Sequence, residues 1–353
     1  NKTIAASLAF VSLALAALTL AENSKTAPTP APQNAPTDPA RNRLSIEMIG
    51  ALAPIEIDAL NPKQVQEVES MLNSKEHYYS HEEKKNGKTV CAFNFPIGFS
   101  LGRISYSPPE KTIAVKISKA QGKLVAAAFP EIQLDFNPQL TEYPKLLSFF
   151  RENDLTAVNI DERSANISSI LPYVQKQKYL ARLDLKNSQI TDGDLPLIER
   201  FEYLQSLEMD AHRLSAAALA KCKFLTRLKS LGISKITSAT PVLNNLALSN
   251  HLEELILNQA NLKKTDFVMI SKLSNLRILS LRDTDADDSD LSKLSALTHL
   301  EQFNLRMCNH LTKSSINSLC KMKSLKSVYL PEELITTTNE ETLQKAIPGL
   351  KYN

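Results

Sequence analysis

His77-Tyr78-Tyr79-Ser80-His81 places two imidazoles four residues apart, a spacing at which one face of a helix could bring both rings to a single zinc ion. On a strand, at about 3.3 Å per residue, the same rings stand roughly 13 Å apart and share nothing. Asn86-Gly87 follows shortly and is the dipeptide of a tight hairpin, so a solvated strand without metal is the expectation. The four cysteines, Cys91, Cys222, Cys308 and Cys320, include no C-x-x-C pair, which removes the usual spacing of structural zinc and leaves too few thiols for a disulfide framework. Neither G-x-x-x-x-G-K-[ST] nor G-x-G-x-x-G occurs, and 8 glycines in 353 residues leave little material for a phosphate cradle. No Ser/His/Asp or paired-carboxylate arrangement recurs. The expectation is therefore no catalytic, metal or cofactor site, and no enzyme.

The charge balance, 41 basic against 38 acidic residues without a long run of either sign, gives no footprint for nucleic acid. A hydrophobic content of 43% over 353 residues is enough to bury a sizeable core in two or three structural units. Lys2 precedes an uncharged run from Thr3 to Ala21, which reads as a secretory signal cleaved after Thr19-Leu20-Ala21 or, alternatively, as a retained anchor that tethers the chain to a membrane through residues 3–21. Either way the expectation is an exported protein: periplasmic, envelope-anchored or secreted. Residues 22–43, rich in Pro, Ala, Asn and Thr, read as an extended linker.

Residues 44–128 read as a small α+β domain. Asn61-Pro62 and KQVQEVESML give a helix start with Val65, Val68 and Leu72 on one face. The period then changes to two over 89–95, 99–107, 111–118 and 124–129, with turns at Asn86-Gly87, Pro108-Pro109 and Gln121-Gly122, so one antiparallel meander under a helix is the economical expectation.

Residues 129–353 carry a repeat. The pattern L-x-x-L-x-L, or its close variants, starts at Leu155, Leu180, Leu204, Leu228, Leu252, Leu276, Leu300 and Leu325, in steps of 24 or 25, and Leu350 opens a truncated ninth copy. LARLDLKNSQITDGDLPLI and LEQFNLRMCNHLTKSSINSL show the whole unit, and it resembles the bacterial and cysteine-containing leucine-rich repeats that read L-x-x-L-x-L-x-x-[CTN]-x-x-[IL]-T-D. The resemblance implies a right-handed α/β solenoid of about eight repeats with terminal caps, a parallel sheet on its concave side and short helices on its convex side. Residues 131–150 are expected to seal one end and the Leu350 strand the other. The unit starting at Leu228 departs most, through Ile236 and Pro241.

The spacing explains why such units stack. Ordering 24 residues costs about 1–2 kcal/mol each, more than three buried leucines return at about 1.5–3 kcal/mol each, so a repeat stands only against its neighbours. Thr191, Ser215, Thr312 and Thr338 are placed as helix N-caps, with Thr338-x-x-Glu341 as a capping box. The column Ser188, His212, Ala260, Thr284 and Cys308 reads as the hydrogen-bonding ladder between turns, which makes Cys308 and His212 structural; Cys222 and Cys320 read as small core residues on helices. Cys308 and Cys320 fall in one repeat and are the pair considered for a bridge in an oxidising compartment.

The face open to a partner is the outward side of the strands. Its N-terminal half tends acidic, whereas Arg282, Arg306 and Tyr329 surround Ile256 and Ile278 in the C-terminal half. Apolar residues ringed by Arg and Tyr have the composition of a binding hot spot. The expected partner-binding set is Glu254, Ile256, Asn258, Ile278, Ser280, Arg282, Gln302, Asn304, Arg306 and Tyr329, and the expected partner is a protein of unknown identity. The alternatives are a secreted effector gripping a host protein with the same face, or an enzyme with its chemistry in residues 44–128 near Cys91, His77 or His81.

Overall fold

The computed structural model describes residues 60–74, 78–107, 116–126, 131–161, 163 and 166–352. The expected signal or anchor, the linker and His77 lie outside the described residues. Close contacts divide the chain into two units, one running up to Leu183 and including Phe201–Tyr203, the other comprising Asp184–Arg200 and Leu204–Asn353.

In the first unit, the Asn61 side chain accepts from the Gln64 N–H at 3.0 Å while Gln64 Oε1 accepts from the Asn61 N–H at 2.8 Å. This reciprocal cap, with Pro62 behind it, starts the helix Pro62–Asn73, whose Val68 is fully buried. Strands β1 (Ser80–Lys85) and β2 (Lys88–Asn94) form a hairpin around Asn86 and Gly87, both in the left-handed region that a two-residue turn requires. The remaining strands are β3 (Gly102–Ser107), β4 (Lys116–Lys119), β5 (Lys123–Val125), β6 (Glu131–Phe136) and β7 (Ala157–Asn159).

The single meander is corrected. β2 pairs with β1 and β5, whereas β3 pairs with β4 and β6. The turn at Gln121-Gly122 exists, but it carries the chain from one sheet to the other. Phe95 donates to the Gly122 carbonyl, Gly122 to Pro96 and Leu101 to Ala120, so two segments cross between the sheets side by side. Phe95, Leu101 and Ala120 are buried along that crossing, and covering them favours two sheets over one. β6 does not end a ladder as a seal would, because it pairs with β3 on one side and in parallel with β7 on the other. The boundary expected at 128 falls between β5 and β6, inside this unit. Tyr79 anchors an aromatic cluster, with its ring centroid 5.0–5.6 Å from those of Phe95, Phe149 and Phe150.

β8 (Arg182–Leu185) straddles the division between the units. The second unit continues with β9 (Ser206–Asp210), β10 (Ser230–Ser234), β11 (Glu254–Ile256), β12 (Ile278–Ser280), β13 (Gln302–Asn304), β14 (Ser327–Tyr329) and β15 (Lys351–Tyr352). From β9 to β15 each strand pairs in parallel with the next, and Leu207, Leu231, Leu255, Leu279, Phe303 and Val328 stand in register. All six are fully buried, and Leu183 in the first unit is 1% exposed. Short helices alternate with these strands, among them Thr240–Leu246, Lys264–Ile270 and Asp288–Leu294. A parallel sheet of repeat-register strands with an apolar column inside and short helices between is the expected leucine-rich-repeat fold.

The turns explain the details. Asn187, Lys235, Gln259, Asp283 and Met307 all adopt positive φ, between 57° and 62°, and the last four follow one another at intervals of 24 residues. None is glycine, so the turn is imposed by the stacked repeats against a local cost. The next residue in each turn points inward: Ser188 and Thr284 donate to the Leu185 and Leu281 carbonyls at 2.6 and 2.7 Å, and Cys308 Sγ lies 3.0 Å from the Leu281 carbonyl. His212 is the exception to the expected ladder. It is exposed, and Ala211, 0% exposed, takes the inward place because no left-handed residue precedes it and the chain reaches that point one residue sooner.

Caps are corrected by a residue or two. Ser215 does cap its helix, accepting from Ala218, and Thr191 pairs with Asp194 at the start of a 3-10 turn. The helix Ser314–Leu319 is preceded by Lys313, while Thr312 instead donates to Asp288 of the previous repeat; the helix Thr337–Ala346 is capped by Thr336, not Thr338. TTTN offers several hydroxyls, of which Thr336 caps, whereas in TKSS no side chain caps from the N-cap position and Thr312 Oγ1 accepts from the Ser314 N–H at 3.2 Å. Pro241 sits in the first turn of a regular seven-residue helix, where its missing N–H costs nothing. Cys222 precedes a 3-10 turn and Cys320 ends a helix, and all four cysteines are free thiols, so no Cys308–Cys320 bridge forms.

Candidate functional site

In the second unit the outward residues of neighbouring strands line up as rows. Ser206, Ser230, Glu254, Ile278, Gln302 and Ser327 form one, and Glu208, Gly232, Ile256, Ser280, Asn304 and Tyr329 the next. Asn258, Arg282 and Arg306 lie just past their strands, yet the ladder continues there: Gln259 donates to the Arg282 carbonyl and Asp283 to that of Arg306.

The N-terminal half neutralises itself. Lys186 Nζ stands 3.2 Å from both Asp184 Oδ2 and Glu208 Oε2, and Lys235 Nζ is 2.5 Å from Asp210 Oδ2. Burial alone would lower the pKa of Lys186, but the Asp184 and Glu208 charges outweigh it and raise it. Burial, reinforced by the negative charge of Asp184 and opposed by Lys186, pushes the Glu208 carboxyl up to about 7. Gly232 makes room for this group, since a Cβ there would meet Glu208 Cγ at 2.5 Å. Glu254, one strand further, accepts from Ser230 Oγ at 2.7 Å.

The C-terminal half is arranged differently. Ile256 and Ile278 are half-buried and Arg282 is exposed. The Arg306 guanidinium lies over the Tyr329 ring, 4.8 Å from its centroid, and Arg282 Nη2 is 3.1 Å from Met307 Sδ. Met307, 47% exposed, is thrust outward by its left-handed backbone. Sequence reading missed it, because it falls between the strand face and the ladder in the repeat pattern. Some members of the expected set are also engaged within the fold. Ser280 is buried and donates to Asn258 Oδ1 at 2.6 Å, Asn258 also accepts from the Arg282 N–H, and Asn304 accepts from the Arg306 N–H. Glu254, Gln302 and Tyr329 are half-buried on the face as expected.

In the first unit, burial pushes the Cys91 thiol up to about 11, away from the thiolate that a nucleophile needs. His81 sits on β1, with Nε2 2.9 Å from Glu83 Oε1. No group of three or more His, Cys, Asp or Glu able to hold a metal occurs among the described residues.

The second unit thus defines a protein of leucine-rich-repeat fold. No family model matches the chain, and no curated protein does. Among solved structures it is similar to an internalin from Listeria monocytogenes, at 18% identity and a TM-score of 0.39, covering 59% of this chain and 69% of that one. It is also similar to internalin C2 of that organism, at 21% identity and a TM-score of 0.35 over 51% of this chain and 74% of that one. A leucine-rich-repeat protein of Leptospira interrogans matches at 18% identity and a TM-score of 0.34, over 60% of this chain and half the length of the other.

Proposed function

We propose that the chain is an exported bacterial leucine-rich-repeat protein that binds a protein partner through the C-terminal half of its strand face, without enzymatic activity of its own. The observation that carries this reading is the grouping of half-buried Ile256 and Ile278 with Arg282, Arg306, Met307 and Tyr329 on adjacent repeats. Aliphatic, aromatic and arginine side chains on a surface already held by the fold are the composition of an interface centre. The uncharged run Thr3–Ala21 supports export, and the L-x-x-L-x-L-x-x-[CTN] pattern supports the bacterial or cysteine-containing subtype. A photo-crosslinking residue placed at Ile278 tests the binding reading in cells of the source organism. A discrete protein adduct is expected there and not from Asn317, an exposed position of the helix Ser314–Leu319; equal labelling at both would sink the reading. Fractionation of the same cells tests export, and recovery only in the cytosol would contradict it.

A further inference from the structure

In the second unit, four cations of the strand face fall into two kinds. Lys186 and Lys235 have carboxylates within 3.2 Å. Arg282 and Arg306 have none within 4.0 Å among the described residues. Carboxylates close to them in sequence are engaged elsewhere: Glu301 pairs with Arg277 and Lys326, Asp283 accepts from Gln259, and Asp285 faces His310 at 3.6 Å. Both guanidinium groups are nevertheless steadied, one on the Tyr329 ring and one against Met307 Sδ. Contacts to a ring face and a thioether leave most of the five N–H donors of each fork without a charged acceptor.

We propose that this half of the face takes an acidic protein segment, one carboxylate docking on each of Arg282 and Arg306 and a neighbouring apolar side chain covering Ile256, Ile278 and Met307. The inference rests on the protein-binding reading above and adds the chemistry of the partner. Charge complementarity carries it. Two adjacent repeats stand about 4.8 Å apart, so the forks form a paired cationic site beside an apolar patch. Arginine forks donate to carboxylates bidentately, and forks already packed lose less freedom on binding. A paired site of one sign also steers an oppositely charged partner, and that steering weakens with salt.

The test is selection from a random dodecapeptide library displayed on phage, using the full chain as bait. Recovered peptides are expected to join Asp or Glu to Leu, Ile or Phe. Their affinity is expected to fall about tenfold or more in R282E/R306E, and by a similar factor between low salt and about 1 M, where the screening length is about 3 Å. The milder R282Q/R306Q variant should lose less, and far-UV circular dichroism of both variants should match the parent. Recovery of neutral or basic peptides, or acidic peptides that bind R282E/R306E equally well, would overturn the proposal while leaving the protein-binding reading intact. Recovery of no sequence above background would overturn both. A short oligodeoxynucleotide that displaces the acidic peptides at equal concentration would overturn the assignment to a protein partner.

Discussion

The two halves of the strand face in the second unit share one register and treat charge in opposite ways. Around Asp184, Glu208 and Asp210, Lys186 and Lys235 are both spent on carboxylates and a glycine gives way to a side chain. Around Arg282 and Arg306 the cations rest on an aromatic ring and a sulfur, and the apolar residues beside them remain partly open. Charges paired within the fold are tied to its stability and are poorly placed to bind anything else. Charges that the fold does not use are free for a partner. Substitutions in the first half should therefore register as stability, and those in the second as binding.

The largest stability effect is expected at Gly232. Gly232→Val forces Glu208 out of its place beside Lys186, and overpacking of this kind costs about 1–3 kcal/mol. Urea unfolding should show the loss, and an unchanged midpoint would mean that the glycine is incidental. Lys186→Met comes next. It leaves Asp184 and Glu208 without their shared cation, and since the lysine is partly exposed the cost should be about 1–2 kcal/mol, below that of breaking a fully buried pair.

The pH dependence sharpens the contrast further. Glu208 has a folded-state pKa near 7, above its ordinary value of 4.5, so the folded chain holds this proton more firmly than the unfolded one. Stability should consequently rise as pH falls from above about 7 toward about 4.5, and the burial penalty is in full force at alkaline pH. Glu208→Gln should be more stable than the parent at pH about 8, with the difference shrinking as pH falls through that window; unfolding midpoints at several pH values check the sign. The smallest effects are expected in the turns. Gln259→Gly relieves a left-handed residue at φ 57° and should stabilise by up to about 1 kcal/mol, less whatever the hydrogen bond to Asp283 contributes. A loss of stability there would show that the side chain matters more than the backbone.

The repeat was legible in the sequence because burial fixes residue type. The columns through Leu207 and Leu279 tolerate little besides large apolar side chains, so their period survives in the text of the chain. Arg282 and Arg306 could be placed by the same counting. What counting could not supply is geometry that depends on a single turn. His212 and Ala211 exchange roles because one turn lacks a left-handed residue, and Met307 points outward because another has one. Pairing in the first unit was equally hidden: alternation marked the strands, but the choice of β6 as partner for β3 depends on which apolar surfaces the crossing segments cover. Ser280 shows the reverse limit, since its outward register is correct and its hydroxyl is nonetheless taken by Asn258.

The contrast between the halves is tested most directly by urea unfolding of two matched charge reversals, K186E/K235E and R282E/R306E, at moderate salt. The first variant should lose about 2 kcal/mol or more, because it sets like charges against Asp184, Glu208 and Asp210. The second should lose no more than about 1 kcal/mol, the range of one exposed cation–π contact, because no carboxylate of the fold depends on these arginines. Equal losses in the two, or a larger loss from the arginine pair, would contradict the division of the face into a structural half and a binding half.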